Sequence, residues 1–335
     1  MTETEPLPPA PEVRPSHRSE LWWIAADGER VPLTGDMITS TSGIIAQRGV
    51  HGLEAPPVDL RLDELPLLDG AVFRHVRSPV RDIFLPLLLW ATDREAMVLL
   101  KRHLIHRMNP RNGRPGTLEV VETDSVGART SRYIDCFYVS GMEGEEKDAA
   151  GLVYCKFGVN LKAPDPFWYG TEVELVDNVN GDPPLHFFTG KPRGAGDHIG
   201  GSFLPLHLSK RSDPDGKKIM SVNGDVEAWP IWIVKAHGAD TLLIKHEGTK
   251  EQILLKHPFG FETDIVTIDT RPGHKTVWSQ RDKNVWERLA PGSELFSLGE
   301  GQNSVLVDFS DNSGGTPVHI AGTVTVKYRP RYLAA

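Results

Sequence analysis

From Leu21 onward the chain alternates short apolar runs with clusters of Gly, Pro, Asn and Asp, the texture of an all-β sandwich or barrel. Strands are expected over residues 117–122, 130–139 and 152–161, and again over 226–234, 241–245, 252–255, 264–268, 304–309 and 318–328. Asn223-Gly224 and Pro272-Gly273 mark turns, because glycine accepts a positive φ without steric cost. One stretch has a helical period instead. Between residues 93 and 108, Met97, Leu100, Leu104 and Met108 recur on one face. Thr92 with Glu95 reads as a capping box at its start. Arg102, His103, His106 and Arg107 suit the negative end of the helix dipole, and Asn109-Pro110 stops the helix.

Ala163-Pro164-Asp165-Pro166 breaks the strand series, since proline cannot donate to a sheet ladder. With 335 residues, more than one ordinary core holds, this seam predicts two domains, 20–163 and 164–335. Ahead of them, residues 1–19 carry Pro6, Pro8, Pro9, Pro11 and Pro15 and read as a flexible arm. There is no internal repeat. A content of 39% hydrophobic and 24% charged residues places the rest among folded globular chains.

The net charge of −8 and a pI near 5.9 argue against a nucleic-acid binder working through a basic surface. The longest apolar run, 83–90, is interrupted by Pro86 and falls far short of the ~20 residues that span a bilayer, so no membrane insertion is expected. No basic segment followed by an apolar stretch opens the chain, which predicts synthesis in a cytoplasm without export. The two cysteines, Cys136 and Cys155, are too few for a disulfide scaffold and read as buried thiols. A hairpin across residues 141–151 would leave a disulfide open as the alternative.

Catalytic constellations are sparse: there is no Gly-x-Ser-x-Gly, Walker lysine loop, His-Glu-x-x-His or Cys-x-x-Cys. His103 and His106 are better explained as dipole partners than as metal ligands. Gly299-Glu300-Gly301 precedes a strand where a phosphate loop needs a helix. Residues 190–201 are glycine-rich and read as a loop, with an anion nest as the alternative. Asp213 and Asp215 before Gly216 lack the distal Glu of a calcium loop. No metal or cofactor is expected. Trp229, Trp232, Trp278 and Trp286 raise a different class of function, stacking on glycans, with Trp229 and Trp232 the first candidates. Their odd spacing puts these two on opposite faces of a regular strand.

A series of segments resembles the siphovirus-type tail component family, the distal tail or minor tail proteins of long-tailed phages. The series runs through Trp22-Trp23-Ile24, Gly49-Val50-His51-Gly52, Leu65-Pro66-Leu67-Leu68-Asp69-Gly70 and Arg81-Asp82-Ile83-Phe84-Leu85-Pro86. It continues with Ala163-Pro164-Asp165-Pro166-Phe167-Trp168, Asn223-Gly224-Asp225-Val226-Glu227-Ala228-Trp229-Pro230, Ile268-Asp269-Thr270, Leu298-Gly299-Glu300-Gly301-Gln302-Asn303 and Tyr328-Arg329-Pro330-Arg331-Tyr332-Leu333. Gly299 stands where the family pattern leads one to expect proline, and residues 1–19 have no counterpart in the series.

The resemblance implies a mainly β chain: an N-terminal ring-forming domain with one helix, then a C-terminal galectin-like β-sandwich. It implies a non-enzymatic structural protein at the virion tail tip, assembled in the host cytoplasm as a homohexameric hub. Tail tube, tape measure and tip proteins would be its partners, and DNA only passing cargo. Trp22, Arg77, Arg81, Asp82 and Trp90 are then candidates for contacts within or between ring subunits, with core and turn positions inside one subunit the competing reading. Lys101, Arg102, Arg107, Arg111 and Arg114 are candidates to face the lumen, against a solvated helix end. A carbohydrate-binding module and a hydrolase are the readings from other classes.

Overall fold

The structure, a computed structural model, describes residues 19–64, 69–124, 126–143, 153–179, 217–260, 264–313 and 317–335. The arm 1–18, the leucine-proline stretch 65–68, the glycine-rich stretch 190–201 and the Asp213–Asp215 pair lie outside the described residues. The chain forms two compact units, 1–170 with 332–335, and 171–331.

The first unit is built on one antiparallel sheet ordered β2 (Arg30–Pro32), β1 (Glu20–Ile24), β7 (Gly116–Thr123), β8 (Arg129–Ser140), β9 (Tyr154–Ala163), β6 (Arg81–Trp90) and β3 (Gly43–Ala46). Two short strands, β10 (Trp168–Tyr169) and β22 (Arg331–Tyr332), pair with each other, and β10 also pairs with β8. Alternation does the sorting. In β6, Ile83, Leu85, Leu87 and Leu89 point into the core, joined by Leu21 and Trp23 from β1 and Val159 and Leu161 from β9. Each such side chain contributes roughly 1.5–3 kcal/mol by leaving water. Pro86 sits mid-strand opposite Gly158; its carbonyl accepts from Gln47 N at 2.7 Å.

The helix α1 (Arg94–Arg107) buries Met97 and Leu104, with Met108 buried at its end. Its cap differs from the expected Thr92–Glu95 box. Asp93 is the N-cap, its carboxylate accepting from Ala96 N at 2.8 Å, while the Thr92 hydroxyl donates to that carboxylate. A charged acceptor one residue on takes the orphan N–H in place of the hydroxyl.

A second hairpin, β4 (Asp59–Glu64) with β5 (Ala71–Arg77), makes a sheet of its own. The hairpin of β8 and β9 exists, but the expected proximity of the thiols fails. Phe137 lies opposite Lys162, which puts Cys136 at the end of β9 far from Cys155; eight residues of strand at ~3.3 Å each separate the two levels. Both are free, Cys136 buried and Cys155 partly so, and burial pushes the Cys136 thiol well up.

The second unit is a two-sheet sandwich. One sheet runs β11 (Val173–Val179), β21 (Gly322–Tyr328), β13 (Ile231–Ala236), β16 (Ile265–Asp269), β17 (Thr276–Ser279), β18 (Lys283–Asn284). The other runs β12 (Lys217–Val222), β19 (Gly301–Asp311), β14 (Ala239–His246), β15 (Gln252–Phe259), with β20 (Val318–His319) attached to β19. Trp232, Val234, Ile244, Leu255, Phe259, Ile268 and Phe309 fill the space between. Two expected strands are shorter than predicted. Residues before Pro230 contribute only single bridges at Val226 and Ala228, because proline interrupts the ladder. The expected 318–328 strand splits; at Gly322 a Cβ would stand 2.5 Å from the Phe309 ring and 2.9 Å from the Lys235 carbonyl.

Candidate assembly and binding surfaces

The β4–β5 hairpin has an apolar face and a charged one. Leu60 lies opposite Val76 and Leu62 opposite Phe73, a register that skips Arg74 as a bulge. The bulge keeps all four apolar side chains in one cross-strand cluster, and they are 58, 54, 52 and 57% exposed in that order. On the other face Arg77 donates twice to one carboxylate oxygen of Asp59, at 2.9 and 3.1 Å, and Arg74 reaches Asp63 at 2.5 Å. A two-stranded hairpin with its apolar face in water is marginal by itself. It is a surface that needs a cover.

Arg81, one of these candidates, is buried inside the first unit at 1% exposure. It donates to the carbonyls of Gly52 at 3.0 Å, Glu54 at 2.7 Å and Leu333 at 2.7 Å. Burial pulls its pKa down, while the charges of Asp165 and Glu54 push it back up. Gly52 holds the first of these carbonyls in place with φ of +86°, and its Cβ position is filled by the Asp82 carbonyl at 2.2 Å, so only glycine fits. Arg132 makes the second grip on the same end of the chain, donating to Ala334 O at 2.6 Å and lying 4.1 Å over the Tyr332 ring. Ala335 N donates to Leu53 O at 3.0 Å. Residues 332–335 are thus strapped onto the first unit through backbone carbonyls, which no local sequence pattern announces.

The other candidates scatter. Trp22 is half-buried on β1, with Arg30 at 4.7 Å over its ring, and Arg30 also pairs with the buried Glu119. Trp90 is buried against Gly35 and Gly43 and donates to Ser40 O at 3.2 Å. Asp82 is exposed, 3.7 Å from Lys162. Arg77 stands in the hairpin just described. Of the basic residues, Arg107 is tied to Asp27 and Glu29, Lys101 is half-buried, and Arg102, Arg111 and Arg114 are exposed.

In the second unit, Trp232 is fully buried and stacks edge-on against Phe296 at 6.2 Å, so it has no face for a sugar. Trp229 is half-buried with Lys275 at 5.7 Å over its ring. The exposed pair is Trp278 and Trp286, at 46 and 43%. The unit also holds a polar network centred on the buried His257, Asp264 and Ser279. His257 bonds Asp264 at 2.7 Å, Ser279 donates to the other oxygen of Asp264 at 2.7 Å, and Arg288 joins His257 to Asp282. The carboxylate sits between the hydroxyl and the imidazole, so the histidine is bonded to Asp264 and Arg288 and not to Ser279. That order locks β15, β16 and β17 together and does not activate a nucleophile.

Residues 223–332 match the family model of the siphovirus-type tail component, C-terminal domain. The second unit carries that tail-component signature. No curated protein matches the chain. Among solved structures, the fold resembles the SPP1 Dit (gp 19.1) protein, described as a paradigm of the hub adsorption apparatus in phages infecting Gram-positive bacteria. The TM-score is 0.57 at 14% identity, over 94% of this chain and 100% of that one. A chain of the phage p2 baseplate in its activated conformation with Sr follows at TM-score 0.48 and 11% identity, over 92% of this chain and 98% of that one. The mainly β fold, with a two-sheet sandwich as its second unit, is the one the sequence series implied.

Proposed function

We propose that this chain is a structural subunit of a siphovirus-type tail, a hub that closes into a homo-oligomeric ring through its first unit and joins the tail tube to the tip. The observation that carries the proposal is the exposed apolar face of the β4–β5 hairpin, on a chain whose fold is that of a tail hub protein. Closed rings use heterologous interfaces, in which a protruding element of one subunit is received by the next. The hairpin is such an element. Leu60, Leu62, Phe73 and Val76 are covered in the ring by the neighbouring copy, and six copies follow from the family resemblance. The tube, tape measure and tip proteins are the proposed partners, and the tail tip is the proposed location after assembly in the host cytoplasm. The role is scaffolding and not turnover.

Light scattering on the purified chain across a concentration series, with negative-stain imaging, tests this. A ring of about six copies is expected, and Phe73→Asp with Leu62→Asp should reduce it to smaller species, since two buried charges at an interface each cost several kcal/mol. A chain that stays monomeric at every concentration and in the presence of its tube protein would sink the proposal.

A further inference from the structure

We infer that the outward face of β6, with its neighbours on β3 and β9, is the seat that receives the β4–β5 hairpin of the adjoining copy. It rests on the ring reading above and adds to it the surface on which each hairpin lands. In β6 the odd positions from Ile83 to Leu89 enter the core, which turns Phe84, Pro86 and Leu88 outward, and all three are half-buried. Ile45 of β3 stands directly opposite Leu88, while Gly158 of β9 stands opposite Pro86. Phe84 lays its ring across that glycine, where a Cβ would come within 3.0 Å of it, and the His51 ring stacks with Phe84 at 6.2 Å. The result is a low apolar face spread over three strands. A face of this kind accepts a second layer of strands laid upon it.

Elsewhere in the first unit the outward surface is of a different kind. On β1, β7 and β8 its side chains are polar and engaged: Arg30 pairs with Glu119 and Arg129 with Glu20, and the Thr117 and Tyr169 hydroxyls both donate to Asp135, at 2.7 and 2.8 Å. Ile38 and Val126, at 94 and 88% exposure, are single side chains in the loop after β2 and the turn between β7 and β8. Leu99 and Ile105 are exposed on α1, but their spacing puts them on different faces of the helix. Isolated apolar side chains are ordinary, whereas adjoining ones mark a contact.

Length and charge fit the hairpin to this seat. Along β4 the side that carries Leu60 and Leu62 ends in Glu64, opposite Ala71 of β5. The rows from Leu60 to Glu64 and from Phe84 to Leu88 have the same number of residues, about 13 Å of strand each. Lys156 of β9 stands opposite Leu88 at the end of the apolar row, exposed and with no ionic partner among the described residues. Lys162, further along β9 on the same side, already lies 3.7 Å from Asp82. On the hairpin Arg77 is taken by Asp59 and Arg74 by Asp63, whereas Glu64 has no cation beside it among the described residues. With Glu64 set at Lys156, Leu60 comes to lie at Phe84, and the contact between them is apolar. The ion pair at its rim fixes direction more than strength.

Light scattering and negative-stain imaging of full chains, alone and mixed in pairs, test the seat. Phe84→Asp and Leu88→Asp should each reduce the ring to smaller species, as Leu62→Asp with Phe73→Asp does from the other side of the contact. A chain with a spoiled hairpin keeps its seat, and a chain with a spoiled seat keeps its hairpin. Mixing the Leu62→Asp, Phe73→Asp chain with the Leu88→Asp chain should therefore give pairs of two copies that cannot extend. Formation of that pair also shows that both variants are folded. At the rim, Glu64→Lys and Lys156→Glu should each weaken assembly by about three- to tenfold, and both in one chain should recover most of the loss. Leu243→Asp, on the outward face of β14 in the second unit, should leave the ring as it is. A ring indifferent to Leu88→Asp, a mixture that stays monomeric, a double charge swap no better than its singles, or a ring broken by Leu243→Asp would each overturn the seat, while the wild-type ring would still stand. A wild type that never assembles removes both.

Discussion

Replacing Arg81 with leucine removes the fork that gathers three parts of the first unit. The guanidinium is 1% exposed and donates to Gly52, Glu54 and Leu333 carbonyls at 2.7 to 3.0 Å. Hydrogen bonds from a charged donor contribute about 1.5–3 kcal/mol each, and a carbonyl left buried without a partner costs about 1–3 kcal/mol. Leucine fills much of the apolar volume, and the carbonyls near the surface regain water. The net loss is therefore about 3–5 kcal/mol, the range found when a buried charged network is broken. With a urea dependence of about 2 kcal/mol per molar, the midpoint of the affected transition falls by roughly 2 M. Arg81→Lys keeps the charge but not the planar fork, and should lose less. Deleting residues 333–335 removes one acceptor, and its effect should fall short of additive with Arg81→Leu by at least about 0.5 kcal/mol. Urea unfolding, followed by tryptophan emission and far-UV circular dichroism, reads the wild type and the four variants. A loss below about 1 kcal/mol for Arg81→Leu, or strict additivity with the deletion, would refute the reading of Arg81 as the pin that holds the strap.

Two further predictions concern the second unit. Lys250 holds a φ of +67° in the turn between β14 and β15, so Lys250→Gly should raise the thermal midpoint, by a net of about 0.5–1 kcal/mol after the entropy of the unfolded glycine is set against the relieved strain; a lower midpoint would refute it. Burial pushes the Asp264 carboxyl up, but the hydrogen bonds of His257 and Ser279 and the charges of His257 and Arg281 outweigh it and leave the pKa below its ordinary value. A depressed folded pKa gives stability that is complete above the unfolded value of about 3.9 and is lost as the pH falls through the folded value. The stability gap between the wild type and Asp264→Asn should therefore narrow as the pH drops from about 5 to 2. Thermal melts across that window decide it, and a constant gap means the carboxylate charge contributes nothing.

Much of the fold was legible because local pattern and tertiary role agree. The helix announced itself by Met97, Leu104 and Met108 on one face, and its cap was missed by one residue because Asp93 and Thr92 are both competent acceptors. Many of the strands follow alternation that burial confirms, as in β1, where Leu21 and Trp23 are buried between half-buried neighbours. The β4–β5 hairpin was overlooked although Leu60 and Leu62 alternate with Asp59, Arg61 and Asp63, since charge density there reads as loop. The site residues were far less legible. Arg81 and Trp232 look like surface candidates in sequence because arginine and tryptophan carry polar groups, yet long-range contacts 252 residues apart and a closed core decide otherwise. Trp278 and Trp232 differ in which side of one sheet they occupy, a parity decided by the register in which Trp232 and Val277 share Ile268 as partner while Trp278 faces Thr267.

The hairpin face has a consequence for the order of events in any assembly that uses it. Its four aliphatic and aromatic side chains are contiguous and carry no hydrogen-bonding group among them, so under the proposed role any well-shaped apolar partner would be accepted and affinity would come from area. Such a face left in water penalises the free subunit, and the polar pairs of Arg77 with Asp59 and Arg74 with Asp63 on the opposite side leave only one face to be covered. A cover on that one face suits a contact made once and kept, because shedding it would return the whole apolar area to water.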